Sequence, residues 1–160
     1  MAGVPGGPRR SISLLFDVFV LNQRLRTLLS VALAGTGMRP DEYAVYSLLY
    51  EVGALTPTDM AKQMGMPLTT VLDYVRSMRA RGHVSRKPHA SDGRAYQLRL
   101  TVKGLAAFHI ASVAWNRSLS RLEPSLPIPV REARRALHAI DDAAESLLRS
   151  LVGESIGKAS

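Results

Sequence analysis

Apolar residues recur every three or four positions over most of the chain, which predicts a mainly helical protein. The pattern separates into six segments, at residues 11–33, 40–52, 57–64, 67–81, 102–122 and 130–152. The third segment has the best-marked start, because Thr56 can cap the helix, Pro57 suits its first turn and Asp59 suits a capping box. Thr101 is placed to cap the fifth segment in the same way.

The third and fourth helices are short and meet at Gly65, which indicates a helix-turn-helix. Two stretches with the alternation of β-strands follow, at residues 84–87 and 96–100. The residues between them are rich in turn formers. A helix-turn-helix followed by a hairpin is the order of a winged helix, so we expect a mainly α fold with a small β-hairpin wing.

The two ends of the chain carry long apolar stripes that a small winged-helix lobe cannot cover. An isologous two-fold homodimer would bury them; a monomer with its own six-helix core is the alternative. Residues 1–10 are rich in Gly and Pro, and we expect them to form a disordered tail. A dimerisation helix is expected within residues 11–37. The winged-helix lobe would occupy residues 38–100, and further dimerisation helices residues 101–155.

The chain is basic, with 21 Lys and Arg against 13 Asp and Glu, a net charge of +8. Such a charge favours a polyanionic partner, although a basic protein without one is the alternative. Cysteine is absent and the histidines lack metal-ligand spacing, so we expect no disulfide, metal or cofactor. No segment has the length and apolarity of a membrane span, and we expect a cytoplasmic protein.

The segment Asp92-Gly93-Arg94, followed by Leu100-Thr101-Val102-Lys103-Gly104, resembles the wing motif of the multiple-antibiotic-resistance regulators, the MarR family. Leu55-Thr56, Asp59-Met60-Ala61, Met64-Gly65 and Arg81-Gly82 support the resemblance, which is close over residues 38–104. It implies a winged-helix DNA-binding lobe, dimerisation through the terminal helices, and small aromatic anions bound between the two. It also implies DNA-contacting roles for Asp92 and Arg94.

The wing motif has a physical logic of its own. Arg94 lies beside a predicted tight turn, where its guanidinium can project into the narrow, electronegative minor groove. Asp92 could hold that arginine in place through a bidentate pair. A solvated surface ion pair is the alternative.

The fourth helix is predicted to be the recognition helix. Val71, Val75 and Met78 form one apolar face, with Leu68 beside them, and all should pack inward. Basic residues are common in the family at positions 68 and 73, so this chain departs from the usual pattern. The outward residues expected at the DNA are Thr69, Thr70, Asp73 and Arg76.

Basic side chains surround this helix and suit phosphate contacts, which position a protein on DNA but do not read its sequence. An ordinary solvated basic face is the alternative. The residues are Arg76, Arg79, Arg81, Arg86, Lys87, Arg94 and Arg99.

Three tyrosines line one face of the second helix, namely Tyr43, Tyr46 and Tyr50. Their hydroxyls need hydrogen-bond partners, and an aromatic acid or phenol could provide them. His109 on the fifth helix is a candidate for the same site. Aromatic packing, with the hydroxyls satisfied by protein or water, is the alternative.

These features together predict a sequence-specific regulator of transcription that binds a pseudo-palindromic site on double-stranded DNA. We expect a repressor that a small aromatic or anionic ligand releases. A winged helix whose basic face binds a protein is the alternative. An enzyme is disfavoured, because the sequence has no phosphate-binding loop, nucleophile elbow or metal-ligand cluster.

Overall fold

The structure is a computed structural model that describes residues 12–88 and 96–157, with side chains up to residue 152. A short 3-10 helix, Glu123–Ser125, separates the last two helices. The predicted mainly α fold with a β-hairpin is confirmed. The elements are α1 (Leu14–Ala32), α2 (Pro40–Val52), α3 (Pro57–Gln63), α4 (Leu68–Ala80), β1 (Val84–Pro88), β2 (Tyr96–Leu100), α5 (Val102–Leu122) and α6 (Val130–Gly157).

Local capping chemistry sets the starts of α3 and α5 where the sequence predicts them. The Thr56 hydroxyl oxygen accepts a hydrogen bond from the backbone nitrogen of Asp59 at 3.1 Å. The Asp59 carboxylate accepts from the Thr56 hydroxyl at 2.7 Å, and not from the backbone as in a full capping box. At α5, the Thr101 hydroxyl accepts from the backbone nitrogen of Gly104 at 3.1 Å. Side chains at the caps therefore satisfy otherwise unused backbone donors.

Two helix ends differ by more than one residue from their predicted positions. The first helix begins at Leu14 and not at residue 11, because Ser13 caps it by accepting from the backbone nitrogen of Phe16. The last helix continues past residue 152 to Gly157. It passes through Gly153, and a single glycine costs a helix only about 1 kcal/mol relative to alanine. The last helix therefore extends beyond the end of its apolar pattern.

The core lies under the helix-turn-helix and the base of the hairpin. Tyr46, Met60, Val71, Met78 and Leu98 are among its fully buried side chains. The strands pair antiparallel, with Val84 opposite Leu100 and Pro88 opposite Tyr96. Leu55 adds a further bridge, exchanging backbone hydrogen bonds of 2.8 and 3.2 Å with Leu98. The hairpin is thus fixed at its base to the segment that leads into α3.

The chain divides into two compact units, Met1–Ser118 and Leu119–Ser160. The first contains α1 to α4, the hairpin and most of α5, together with the buried core. The second contains α6, on which Leu137, Leu147, Leu148 and Val152 are exposed in the single chain. The predicted division into a DNA-binding lobe and dimerisation helices is a division by function. The compact units do not test it, so it stays a prediction.

Neither a membrane-spanning helix nor a cluster of metal ligands occurs within residues 12–88 and 96–157. No helix there is long and apolar enough to cross a membrane. The same residues contain no group of three or more histidine, aspartate or glutamate side chains that could hold a metal ion. The expectation that the protein uses no metal or cofactor remains a prediction.

Candidate nucleic-acid interface

Helix α4 separates a buried face from an exposed polar one, as predicted for a recognition helix. Val71, Val75 and Met78 are buried. The structure places Thr69, Asp73 and Arg76 on the exposed side and leaves Thr70 half-buried. The helix can therefore offer polar side chains to a DNA groove while its other face rests on the core.

The prediction that Leu68 packs inward is wrong, because its side chain is 42% exposed. Leu68 is the first residue of α4 and follows the N-cap Pro67. Helical side chains lean toward the N-terminus, so the first residue of a helix projects beyond the packed turns. Leu68 thus presents an apolar surface at the exposed start of the recognition helix.

The two charged residues on the outer face of α4 pair with each other. Nη1 of Arg76 donates to Oδ1 of Asp73 at 2.8 Å, one helical turn away. Both side chains are largely exposed, at 78% and 68% respectively. The carboxylate therefore neutralises the arginine that the sequence offers for a phosphate or base contact.

The hairpin carries basic side chains on its exposed surface. Arg86 and Lys87 are exposed on β1. The Arg86 guanidinium carbon lies 3.9 Å from the centroid of the Tyr96 ring on β2, a cation–π contact. Asp92 and Arg94 fall in residues 89–95, outside the described residues, so their predicted roles at the minor groove stay predictions.

Arg81, for which the sequence predicts a phosphate contact, pairs with an acidic side chain of the protein itself. Nη2 of Arg81 donates to Oε1 of Glu42 at 2.6 Å, and Glu42 is only 5% exposed. A buried carboxylate needs such a partner, so this guanidinium stabilises the buried charge of Glu42. The sequence showed Glu42 only as an acidic residue in the first turn of α2, where its other oxygen accepts from the backbone nitrogen of Arg39 at 3.3 Å. Its burial gave no signal in the sequence.

Tyr46, a candidate ligand-binding residue, is completely buried. Its hydroxyl lies 2.7 Å from Nδ1 of His83, a residue to which the sequence pattern assigned no role. Burial raises the pKa of Tyr46 to about 12. Burial, with the positive charges of Arg81 and Lys103, lowers the pKa of His83 below its ordinary value. The hydroxyl therefore stays protonated and can donate a hydrogen bond to Nδ1 of the neutral imidazole.

The other two tyrosines pack against α5. The Tyr43 ring stacks on Trp115 and Phe108, with centroids 4.5 and 5.6 Å apart. The Tyr50 ring lies 4.6 Å from that of Phe108 and meets His109 edge-on at 5.6 Å. Tyr50 is 45% exposed and His109 is also exposed, whereas Tyr43 is buried. Of the four candidate ligand-binding residues, only Tyr50 and His109 can be reached from solvent in this chain.

An open cavity of about 260 Å³ lies elsewhere, at the corner between α1 and α2. None of the four candidate residues lines it, so the cavity is separate from the tyrosine face. Its walls are mostly apolar and it is formed by Ser30, Leu33, Ala34, Gly35, Gly37, Met38, Arg39 and Pro40.

The segment that forms the winged helix is similar in sequence to known proteins. Residues 39–96 match the model of the MarR family. The HTH-type transcriptional repressor YetL of Bacillus subtilis (strain 168) is 26% identical over 98 residues, which cover 60% of this chain and 59% of YetL. The match thus spans less than two thirds of that relative.

Solved structures share the fold. The transcriptional regulator MOSR of M. tuberculosis, in complex with DNA, is 23% identical, with a TM-score of 0.74 over 84% of this chain and 98% of that one. A mutant of MarR from E. coli, complexed with operator DNA, is 20% identical, with a TM-score of 0.71 over 81% and 94%. The family match covers the segment that holds the helix-turn-helix and most of the hairpin, and the fold agrees along most of the chain. Residues 39–96 are thus similar to the MarR family, and the chain shares the fold of these regulators.

Proposed function

We propose that this protein is a homodimeric regulator of transcription that binds a pseudo-palindromic site on double-stranded DNA. The proposal involves no catalytic step. Regulating transcription requires access to the chromosome, and we therefore expect the protein in the cytoplasm.

The observation that carries the proposal is the set of exposed polar and basic side chains on α4 and on β1, the strand that follows it in the chain. The outer face of α4 carries Thr69 and the pair of Asp73 with Arg76, and β1 carries Arg86 and Lys87 nearby in the chain. Hydroxyl and charged side chains on a helix of this kind can reach base edges in a major groove. Cations on the adjacent hairpin suit backbone phosphates. The net charge of +8 per chain adds long-range attraction to DNA.

The names of the relatives support a role in transcription regulation, and one of them supports repression as against activation. YetL is named as a repressor, and the MOSR and MarR structures contain DNA. We accordingly propose repression, with release by a small aromatic or anionic ligand as part of the proposal. Tyr50 and His109 are the exposed groups on the tyrosine face that such a ligand could contact.

Dimerisation is supported by apolar helix faces that are exposed in the single chain. Leu15, Phe19 and Val31 are more than half exposed on α1, and Leu147 and Leu148 are so on α6. A second copy related by a two-fold axis would cover such faces. It would also supply a second recognition helix, and half-sites in such dimers lie about one DNA turn, roughly 34 Å, apart.

The test is selection of duplexes from a random library by the purified protein, followed by footprinting and by sedimentation of the free protein and its complex. We expect an enriched site with two-fold symmetry, bound by a species of twice the chain mass. A footprint on one half-site, bound by a monomer, would contradict the dimer. Failure to enrich any site, together with the capture of a specific protein, would favour the alternative of a protein-binding winged helix.

A further inference from the structure

The junction between α4 and β1 is attached to α2 by four polar side chains, which we call the junction cluster: Glu42, Tyr46, Arg81 and His83. Glu42 and Tyr46 are one turn apart on α2 and therefore point to the same side. Arg81 is the C-cap of α4, and His83 immediately precedes β1. The cluster lies where the orientation of the recognition helix and that of the wing are both set.

The first half of the cluster is the contact of Glu42 with Arg81. Besides the 2.6 Å hydrogen bond to Glu42, the Arg81 guanidinium lies 6.0 Å from the centroid of the Tyr46 ring. Nε of Arg81 also donates to the backbone oxygen of Ser77 at 3.4 Å. Glu42 also accepts from the Arg39 backbone nitrogen at 3.3 Å and lies 3.8 Å from Nε of Arg39, but Arg81 is its shortest contact. Moving Arg81 away would weaken the stabilisation of a buried carboxylate, so the pair favours one position of the C-terminal end of α4.

The second half is the contact of Tyr46 with His83, whose backbone is itself tightly held. The His83 nitrogen donates to the Met78 oxygen at 2.9 Å, and the His83 oxygen accepts from the Thr101 nitrogen at 3.0 Å. A side chain at position 104 would clash with that oxygen, so Gly104 allows the start of α5 to approach. The imidazole thus joins α2 to the point where α4, β1 and α5 meet.

A second attachment lies beside the cluster. Oδ2 of Asp41 accepts from the Tyr74 hydroxyl at 3.2 Å and from Nη2 of Arg26 at 2.9 Å. Tyr74 and Arg81 are seven residues apart, about two helical turns, and so face the same side of α4. Two consecutive acidic residues in the first turn of α2 therefore hold the recognition helix at its middle and at its end.

We infer that Glu42 is a positioning residue for DNA recognition, acting through Arg81, and that Arg81 is not a phosphate contact. The inference rests on the proposed DNA-binding function. With the pair intact, α4 and the wing are held in one relative orientation before DNA arrives. Without it, the junction must be ordered on binding, which lowers affinity for the site that fits both elements. Non-specific binding needs only charge near phosphates and depends little on this orientation.

The test compares Glu42→Gln, Arg81→Gln and the double variant with the wild type. Each is titrated with a duplex that the wild type has selected and with a scrambled duplex, at two salt concentrations and at a temperature where circular dichroism shows it folded. We expect each single variant to lower the ratio of the two affinities about tenfold, comparable to a mismatched base pair. Because both act through one contact, the double variant should lose little more than either single one.

Arg79→Gln is the matched control, because Arg79 is an exposed arginine two residues before Arg81 on the same chain segment. If it meets phosphates, its loss should weaken both duplexes alike and reduce the salt slope by about one. Arg81→Gln should leave the salt slope unchanged. If Glu42→Gln does not fold, Arg81→Lys, which keeps the charge but not the planar fork, should still lower the affinity ratio.

Two results would overturn the inference. One is an unchanged affinity ratio in the folded variants; the other is a fall in salt slope for Arg81→Gln equal to that of Arg79→Gln. A wild type that selects no duplex would overturn the proposed function, and the inference with it. If the wild type selects a duplex but the protein variants keep its ratio of affinities for the selected and scrambled duplexes, only the inference is overturned.

Discussion

Arg76 and Asp73 form an ion pair on the outer face of the recognition helix, with 2.8 Å between Nη1 and Oδ1. The pair spans one turn and is exposed, so it contributes at most about 1 kcal/mol to folding. Its larger effect is on the surface potential of α4, where it cancels a positive charge that faces the proposed DNA groove.

Replacing Asp73 with Asn should therefore strengthen binding to scrambled DNA. The change removes a negative charge near phosphates and releases Arg76 to contact them, so the salt slope should increase by about one. Titration of a scrambled duplex at two salt concentrations checks this. Adding Arg76→Gln to the Asn variant is the control and should cancel most of the gain. An unchanged salt slope in Asp73→Asn would contradict the proposed position of α4 on DNA.

Stability should decrease below neutral pH because of His83. Its pKa is lowered in the folded chain by burial and by the charges of Arg81 and Lys103, against a smaller opposite effect of Glu42. Between that lowered value and the ordinary value of about 6.5, the unfolded chain binds more protons, so the free energy of unfolding falls as the pH falls through this window.

Thermal unfolding between pH 7 and pH 5.5 tests this effect. The melting temperature of the wild type should decline more steeply than that of His83→Gln, which cannot titrate but can still accept a hydrogen bond from Tyr46. His138→Gln removes an exposed histidine and is the matched control. Parallel curves for the wild type and His83→Gln would show that His83 does not cause the pH dependence.

The wing prediction concerns Arg94 and Asp92. If Arg94 enters the minor groove, Arg94→Ala should weaken binding to the selected duplex by on the order of 1–3 kcal/mol with folding intact. Asp92→Ala should cause part of the same loss, and the two losses should be less than additive, because the aspartate acts through the arginine. Arg99→Ala, at the base of the hairpin opposite Ser85, is the control and should lose less. Equal binding by Arg94→Ala and the wild type would remove the minor-groove assignment.

The ligand prediction now concentrates on Tyr50. If an aromatic acid such as benzoate or salicylate binds this face, it should raise the melting temperature and weaken DNA binding, and Tyr50→Ala should reduce both effects. Tyr46→Phe is the contrasting variant, because its buried hydroxyl already contacts His83. It should lower stability by about 1 kcal/mol or somewhat more without changing the ligand response. A ligand response lost in Tyr46→Phe but kept in Tyr50→Ala would contradict this assignment.

Features set by neighbouring residues could be predicted from the sequence. Thr56 with Pro57, and Thr101, fix helix starts through contacts within four residues. The spacing of Val71 and Val75 places the buried face of α4 in the same way. The strand alternation predicted β2 at its observed bounds. Each of these depends on a short stretch of chain, whose periodicity and capping are visible without tertiary structure.

Features that depend on distant parts of the chain could not be predicted. Glu42 and Arg81 are 39 residues apart, and Tyr46 and His83 are 37 apart. A basic residue near a recognition helix is as suited to a phosphate as to a buried carboxylate until the fold brings the carboxylate beside it. The sequence therefore predicts a phosphate contact for Arg81, whereas the structure shows the contacts of the junction cluster.

The central claim is that the protein binds duplex DNA specifically through a basic winged helix. Equilibrium titration of the wild type over a range of salt concentrations tests this claim most directly. The duplexes are the one that it selects and a scrambled duplex of equal composition. We expect both affinities to fall linearly on a log–log plot against salt, with the selected duplex bound at least about a thousandfold more tightly. Equal affinity for the two duplexes, or no dependence on salt, would contradict the account.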